Sequence, residues 1–300
     1  MVHRYIERVV LAVFGLLMAT VVVAQDRPKV VAVNYPLQYF AERLLGGSAE
    51  VVFPVPDGVD PSFWRPSISD ISMIQSADLI LLNGAGFATW VDRVTLPRSR
   101  LVNTTAAIKD QFIVTESITH SHGDGGEHSH EGLASYVWLD PTLAMAQAEA
   151  IAEAIKARNL APPDEVEDRL QQLRKELEAL DQQAKSAFSD VQNAALIATH
   201  PRYQYFGRRY GLEISSLEWE AGATPNDAQI AELQMLAQET AAQVLIWEAE
   251  PPVEAIEAVE SLGLQSVIFP TLVREPADAT YLSSFEQSVG TLSEAIQMRQ

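Results

Sequence analysis

Apolar and polar positions change rhythm several times along these 300 residues. Val30 to Val33 is a short β-branched run, and Leu37 to Leu45 follows with helical spacing before Gly46-Gly47. Val51 to Val55 is strand-like again. After a polar loop, a helical pattern through Ile68, Ile71 and Ile74 leads into the apolar run Leu79 to Leu82. Short β-branched runs alternating with helices of this length predict βαβ units around a parallel sheet. A second series of the same kind starts at Ala194. It has strands at Ala195 to Thr199 and Leu212 to Leu217, then a helix with Thr224 as its cap and Pro225 at its first position. Val244 to Trp247 is the next strand, a helix ends at Gly263, and Ser266 to Phe269 is the last strand.

Between the two series, Val166, Leu170, Leu173, Leu177 and Leu180 recur in steps of four and three with charges elsewhere. That is one amphipathic helix over 163–191, ~40 Å long at 1.5 Å per residue. The fold class expected is α/β, with two lobes at 28–160 and 193–300. Each has a mainly parallel sheet flanked by helices. The long helix joins them and limits how far they hinge.

The first residues add a destination. Arg4 and Arg8 precede the apolar run Val9 to Val23, and Ala24 closes a small-residue cleavage pattern. That order predicts a secretory signal peptide over 1–24. The run is shorter than the roughly 20 residues that span hydrocarbon. The sequence has no Cys, so it offers no disulfide, no thiolate ligand and no thiol for a lipid anchor. A free, monomeric periplasmic protein is expected. Its net charge of −19 argues against nucleic acid as a partner and suits attraction of cations. Any metal must be held by imidazole and carboxylate.

Histidine is concentrated. Four of the six lie within residues 120–130 as His120, His122, His128 and His130, with Asp124 and Glu127 among them and no apolar residue. A segment of that composition builds no core and reads as a solvated accessory metal-binding loop. His122 and Asp124 also invite comparison with the His-x-His-x-Asp-His pattern of metallo-hydrolases. Gly125 stands where the last His belongs, and the flanking glycines fix no catalytic geometry. The chain is therefore not read as an enzyme. His200 is different, because it ends an apolar strand ahead of Pro201, at the carboxyl edge of a sheet where α/β folds place ligands. Glu218, Glu248 and Glu250 follow other strands to the same edge, and with His200 they form the candidate metal set.

With these pieces assembled, the chain resembles the metal-specific periplasmic solute-binding proteins of ABC transporters, in the zinc-uptake receptor branch. The resemblance spans nearly the whole chain after the leader. It rests on Pro56-Asp57-Gly58-Val59-Asp60-Pro61 before Arg65-Pro66-Ser67, on Ser76-Ala77-Asp78-Leu79, and on Val137-Trp138-Leu139-Asp140-Pro141. Thr199-His200-Pro201 with Tyr205-Phe206 and Tyr210-Gly211-Leu212 completes it. The resemblance implies two α/β lobes holding one Zn²⁺ or Mn²⁺ between them, for delivery to a permease in the inner membrane.

It also implies ligands that this chain does not have. Ser62 and Tyr136 stand at two positions where the family carries His, and Phe269-Pro270-Thr271 lacks the family's Asp. Only His200 transfers. Three constructions stay open. The site is rebuilt from His200, Glu218 and Glu248 or Glu250, completed by a loop His. Or the chain is a periplasmic buffer that holds metal on its loop alone. Or the cleft takes another ligand, with Ser62, Trp64 and Tyr136 as contacts.

Overall fold

The structure is a computed structural model and describes residues 27–115, 132–191 and 193–299. The expected leader and the His-rich segment 120–130 lie outside the described residues. The first lobe runs β1 (Lys29–Ala32), α1 (Tyr35–Leu45), β2 (Glu50–Val52), α2 (Ile68–Ser76), β3 (Leu79–Leu82) and β4 (Leu101–Asn103). A short antiparallel pair, β5 (Val114–Thr115) and β6 (Gly132–Leu133), precedes α3 (Pro141–Ala157) and the long α4 (Pro163–Ala187). The second lobe has β7 (Ala195–Ala198), α5 (Gln204–Tyr210), β8 (Glu213–Ser216), α6 (Asp227–Thr240) and β9 (Val244–Trp247). It continues with α7 (Val253–Ser261), β10 (Gln265–Ile268) and α8 (Tyr281–Gln297).

The two lobes repeat one topology. The first sheet is ordered β2-β1-β3-β4 and the second β10-β9-β7-β8, and every neighbouring pair is parallel. Counted within each lobe in chain order, both read 2-1-3-4. In such sheets the strand order reverses between strands 1 and 3, and the crevice beyond their carboxyl ends is where ligands bind. The first lobe fills its reversal point with amides. Asn34 and Asn83 are both buried there and joined by a 3.2 Å hydrogen bond, and the Asn34 side chain also caps α1. The second lobe places His200 and Glu248 beyond β7 and β9.

Local sequence explains most helix boundaries. Ser67 and Asp70 make a reciprocal capping box at the start of α2. Helix α6 starts later than its expected cap at Thr224. Asn226 accepts from the amides of Ala228 and Gln229, and Gln229 reaches back to Asn226. The Asn-x-x-Gln pair satisfies two orphan amides at once, which a lone Thr two residues earlier cannot do. Helix α4 buries Val166, Leu170, Leu173, Leu177 and Leu180, the stripe read from the sequence, and ends at Ala187.

Helix α4 packs on α1 and α3 of the first lobe and on α8 from the end of the chain. Helix α8 packs on β10 of its own sheet and also reaches the first lobe. Tyr281 meets Phe40 edge-on at 5.2 Å and donates a 2.5 Å hydrogen bond to the Trp138 carbonyl. Trp138 donates its indole N–H to the Thr271 carbonyl at 2.7 Å. These buried aromatics make one continuous core across both lobes. Each full burial of a side chain of this size contributes ~2–3 kcal/mol, so the lobes are joined by far more than a linker.

Candidate metal centre

Strand β7 delivers His200 to the cleft. The Thr199 amide still bonds the Ile246 carbonyl of β9 at 2.9 Å, but Pro201 has no N–H and ends the pairing. Beyond β8 the chain keeps alongside, with the Trp219 amide on the Thr199 carbonyl at 2.9 Å. That register sets the Trp219 carbonyl 2.9 Å from His200 Nδ1. A carbonyl oxygen only accepts, so Nδ1 carries the hydrogen and Nε2 keeps its lone pair. Metal-ligating histidines are held in this way, the second nitrogen anchored to a carbonyl or carboxylate. Burial, reinforced by the neighbouring Arg202 cation, lowers the His200 pKa and keeps the ring neutral.

Glu248 lies beside it. Its Oε1 is 4.0 Å from His200 Nδ1, and burial raises its carboxyl pKa. Glu218 is exposed on the chain beyond β8, close enough to favour the charged imidazole electrostatically. Glu250 goes elsewhere. It is exposed and lines a separate cavity of about 450 Å³ formed by α7, β10 and α8. Strand β9 ends at Trp247, so strand alternation does not carry from Glu248 to Glu250. Among the described residues no three His, Asp or Glu side chains gather as a metal-holding group.

Ser62 and Tyr136, the two positions that the sequence resemblance implies are substituted, meet at this cleft from the first lobe. Ser62 and Tyr136 are both buried. Ser62 donates both its amide and its hydroxyl to Asp60 Oδ1, at 2.8 and 2.6 Å. Burial drives the Tyr136 pKa far up, so the phenol is neutral. A cavity of about 460 Å³ opens next to them between the lobes, lined by Val59, Asp60, Tyr136, Glu248, Leu272 and Arg274 among others. The Arg274 guanidinium closes one side by donating to the Pro56 and Val59 carbonyls.

Arg202 was not in the candidate set read from the sequence, and it bridges the two lobes between Asp60 and Glu248. Its guanidinium is 3.0 Å from Asp60 Oδ2, 3.6 Å from Glu248 Oε2 and 4.6 Å from the centre of the Tyr136 ring. The residue is 8 % exposed. The signal for it was present in the sequence: an Arg two positions past a strand-end His, in a chain with acids at the ends of the facing loops. Asp60, inside the Pro56–Pro61 motif, was likewise passed over as a loop residue.

The sequence model of the family described as ZnuA, zinc-uptake complex component A periplasmic, matches residues 30–295. The zinc-binding lipoprotein AdcA of Streptococcus pneumoniae is 28 % identical over 219 residues, covering 70 % of this chain and 43 % of that protein. This chain therefore spans less than half the length of that relative. The high-affinity zinc uptake system protein ZnuA of Bacillus subtilis is 23 % identical over 282 residues, with 90 % and 88 % covered. Among solved structures, Zn(II)-bound AdcA from Streptococcus pneumoniae superposes with a TM-score of 0.76 at 20 % identity, over 90 % of this chain and 58 % of that one. The fold is shared, and with the family model matched over nearly the whole described chain, the protein belongs to the periplasmic zinc-uptake complex component A family.

Proposed function

We propose that this chain is an extracytoplasmic receptor that captures a divalent cation, Zn²⁺ ahead of Mn²⁺, between its lobes and delivers it to an ABC permease in the inner membrane. The carrying observation is the His200 imidazole, neutral, anchored through Nδ1 to Trp219 and set at the strand-reversal point beside Glu248. A nitrogen with a free lone pair and a nearby carboxylate form the beginning of a zinc site. Relatives named for zinc binding and zinc uptake support the choice of metal. The chain is read as a carrier and not an enzyme, because capture and release need a ligand site and a closing cleft, not a nucleophile beside a base. It is read as a monomer. The streptococcal relative is named a lipoprotein; these 300 residues hold no Cys, and we read the protein as free in the periplasm.

Native mass spectrometry of the full chain with Zn²⁺ and Mn²⁺ tests this, alongside His200→Ala. The receptor reading expects one cleft metal lost in the variant, and poor growth of cells carrying it when the medium is chelated. If the variant keeps every metal and supports growth as the parent does, His200 does not hold the cargo.

A further inference from the structure

We propose that Arg202 is a resident competitor for the cargo. Its guanidinium holds the space between Asp60 and Glu248 that a captured cation needs, so the cleft takes metal only as Arg202 gives way. The inference rests on the receptor reading and adds a specificity-determining residue to it.

The cleft contains two carboxylates from different lobes. Asp60 belongs to the loop after β2, and Glu248 to the end of β9. A single side chain spans them. Arg202 makes a charge-assisted hydrogen bond to Asp60 at 3.0 Å and stands 3.6 Å from Glu248, beyond good hydrogen-bond length. Its Nε is buried without a hydrogen-bond partner. One carboxylate is therefore firmly held and the other loosely held. The guanidinium is also seated on the Tyr136 ring, the side chain at one of the two substituted family positions, and lies 5.7 Å from the Phe63 ring. Arginine stacks on aromatic faces in a way an imidazole at that position would not favour. The substitution to Tyr136 and the presence of Arg202 thus belong together.

The charges point the same way. Asp60 and Glu248 attract one another's counter-ion, and Arg202 already supplies a positive charge there. A divalent cation arriving at His200 meets that positive charge, which His200 already feels, and finds both Asp60 oxygens engaged by Arg202 and Ser62. Among the described residues His200, Asp60 and Glu248 do not gather as a three-ligand group, so capture also requires these side chains to draw together. Withdrawal of Arg202 leaves the Asp60 and Glu248 carboxylates free to draw in around a cation with the His200 imidazole, an N,O set suited to Zn²⁺.

The opposite role makes the opposite prediction. A guanidinium that clasps the lobes shut over bound metal would strengthen capture, and its removal would weaken it. The test is zinc competition against a fluorescent chelator in the full chain with His120, His122, His128 and His130 replaced by Gln, so that the cleft alone responds. Arg202→Gln is expected to tighten zinc binding on the order of tenfold or more. Arg202→Met, which keeps an apolar stem against Tyr136, provides a second neutral variant, with melting of the metal-free protein confirming that each folds. Arg202→Lys keeps the charge and is expected to bind as weakly as the parent. Adding His200→Ala to Arg202→Gln should cancel the gain, tying it to the cleft. Unchanged or weaker zinc binding in both folded neutral variants overturns the proposal. The receptor reading is judged separately, by the growth of cells carrying His200→Ala in an otherwise unaltered chain.

Discussion

His200 donates its Nδ1 hydrogen to the Trp219 carbonyl at 2.9 Å, and so presents the cleft with the nitrogen that carries a lone pair. The bond is set by backbone register, since the chain beyond β8 stays paired to Thr199. No side-chain substitution at position 219 removes it. The tautomer is thus a property of the sheet, and the Nε2 lone pair is left available by backbone register alone.

Zinc in the cleft should therefore outlast zinc on the 120–130 segment as pH falls. Imidazoles with ordinary values titrate near 6.5, whereas burial and Arg202 hold His200 below that. Protons compete for a ligand only below its pKa. Titration from pH 7 to pH 5 should show the segment's metals leaving first and the cleft metal later. Simultaneous loss would show that the last metal does not depend on His200.

The same shift has a stability consequence in the metal-free protein. A His whose folded pKa is depressed contributes stability that is present above the unfolded value, about 6.5, and is lost as pH falls through the folded value. Glu248 has the other sign. Its raised pKa gives stability present below the unfolded carboxyl value and lost as pH rises through the folded one. Melting curves of His200→Gln should lose the acid-side decline, and those of Glu248→Gln the loss on the rising side. Profiles that superpose on the parent's would mean that neither group is held in the cleft as described.

Deleting residues 120–130 should lower bound Zn²⁺ by at least one while leaving metal-free melting nearly unchanged. The segment contains no apolar residue, so it has little apolar surface to bury. A large fall in melting temperature would show that it packs against the body.

Between the lobes, Trp138→Phe should cost ~1–3 kcal/mol, because it leaves the buried Thr271 carbonyl without its indole partner while keeping most of the ring. Denaturant unfolding measures it. A change within ~0.5 kcal/mol, the usual range for surface sites, would mean this contact does not help hold the lobes together.

The fold was legible because its signals are local and redundant. Four-residue apolar runs such as Leu79 to Leu82, and the stripe from Val166 to Leu180, have few other ways to be buried. Strand β4 was missed: Leu101–Asn103 is three residues long and only partly buried. So were α3, whose Ala-rich sequence carries a weak apolar contrast, and α8, whose Tyr281, Phe285, Val289, Leu292 and Ile296 do fall at helical spacing between serines. The site was legible only in part. A strand-end His announces itself, and the sheet order then selects Glu248 as its neighbour. The role of Arg202 is set by Asp60, 142 positions away, and no spacing rule reaches that far. Glu250 is separated from Glu248 by a bend after β9 ends at Trp247, which the sequence does not signal.

Ser62 and Tyr136, where the sequence resemblance implies two ligand imidazoles, give the strictest test of the cleft as a metal site. Ser62 and Tyr136 lie buried together, and Asp60 fixes the Ser62 loop through two hydrogen bonds. Ser62→His with Tyr136→His would bring two imidazoles to the cleft beside His200, a three-nitrogen set of the kind zinc takes. Tyr136→His also removes the ring on which Arg202 is stacked, loosening the resident cation at the same stroke. The double variant should raise zinc affinity in the chain lacking 120–130. Adding Arg202→Gln should raise it further, by less than the sum of the separate gains, because Tyr136→His has already weakened the guanidinium's hold. Competition against a fluorescent chelator measures all of these. Strict additivity would indicate that Arg202 and Tyr136 act independently. No gain in either background would show that the loop carrying residue 62 does not bring its side chain to the metal.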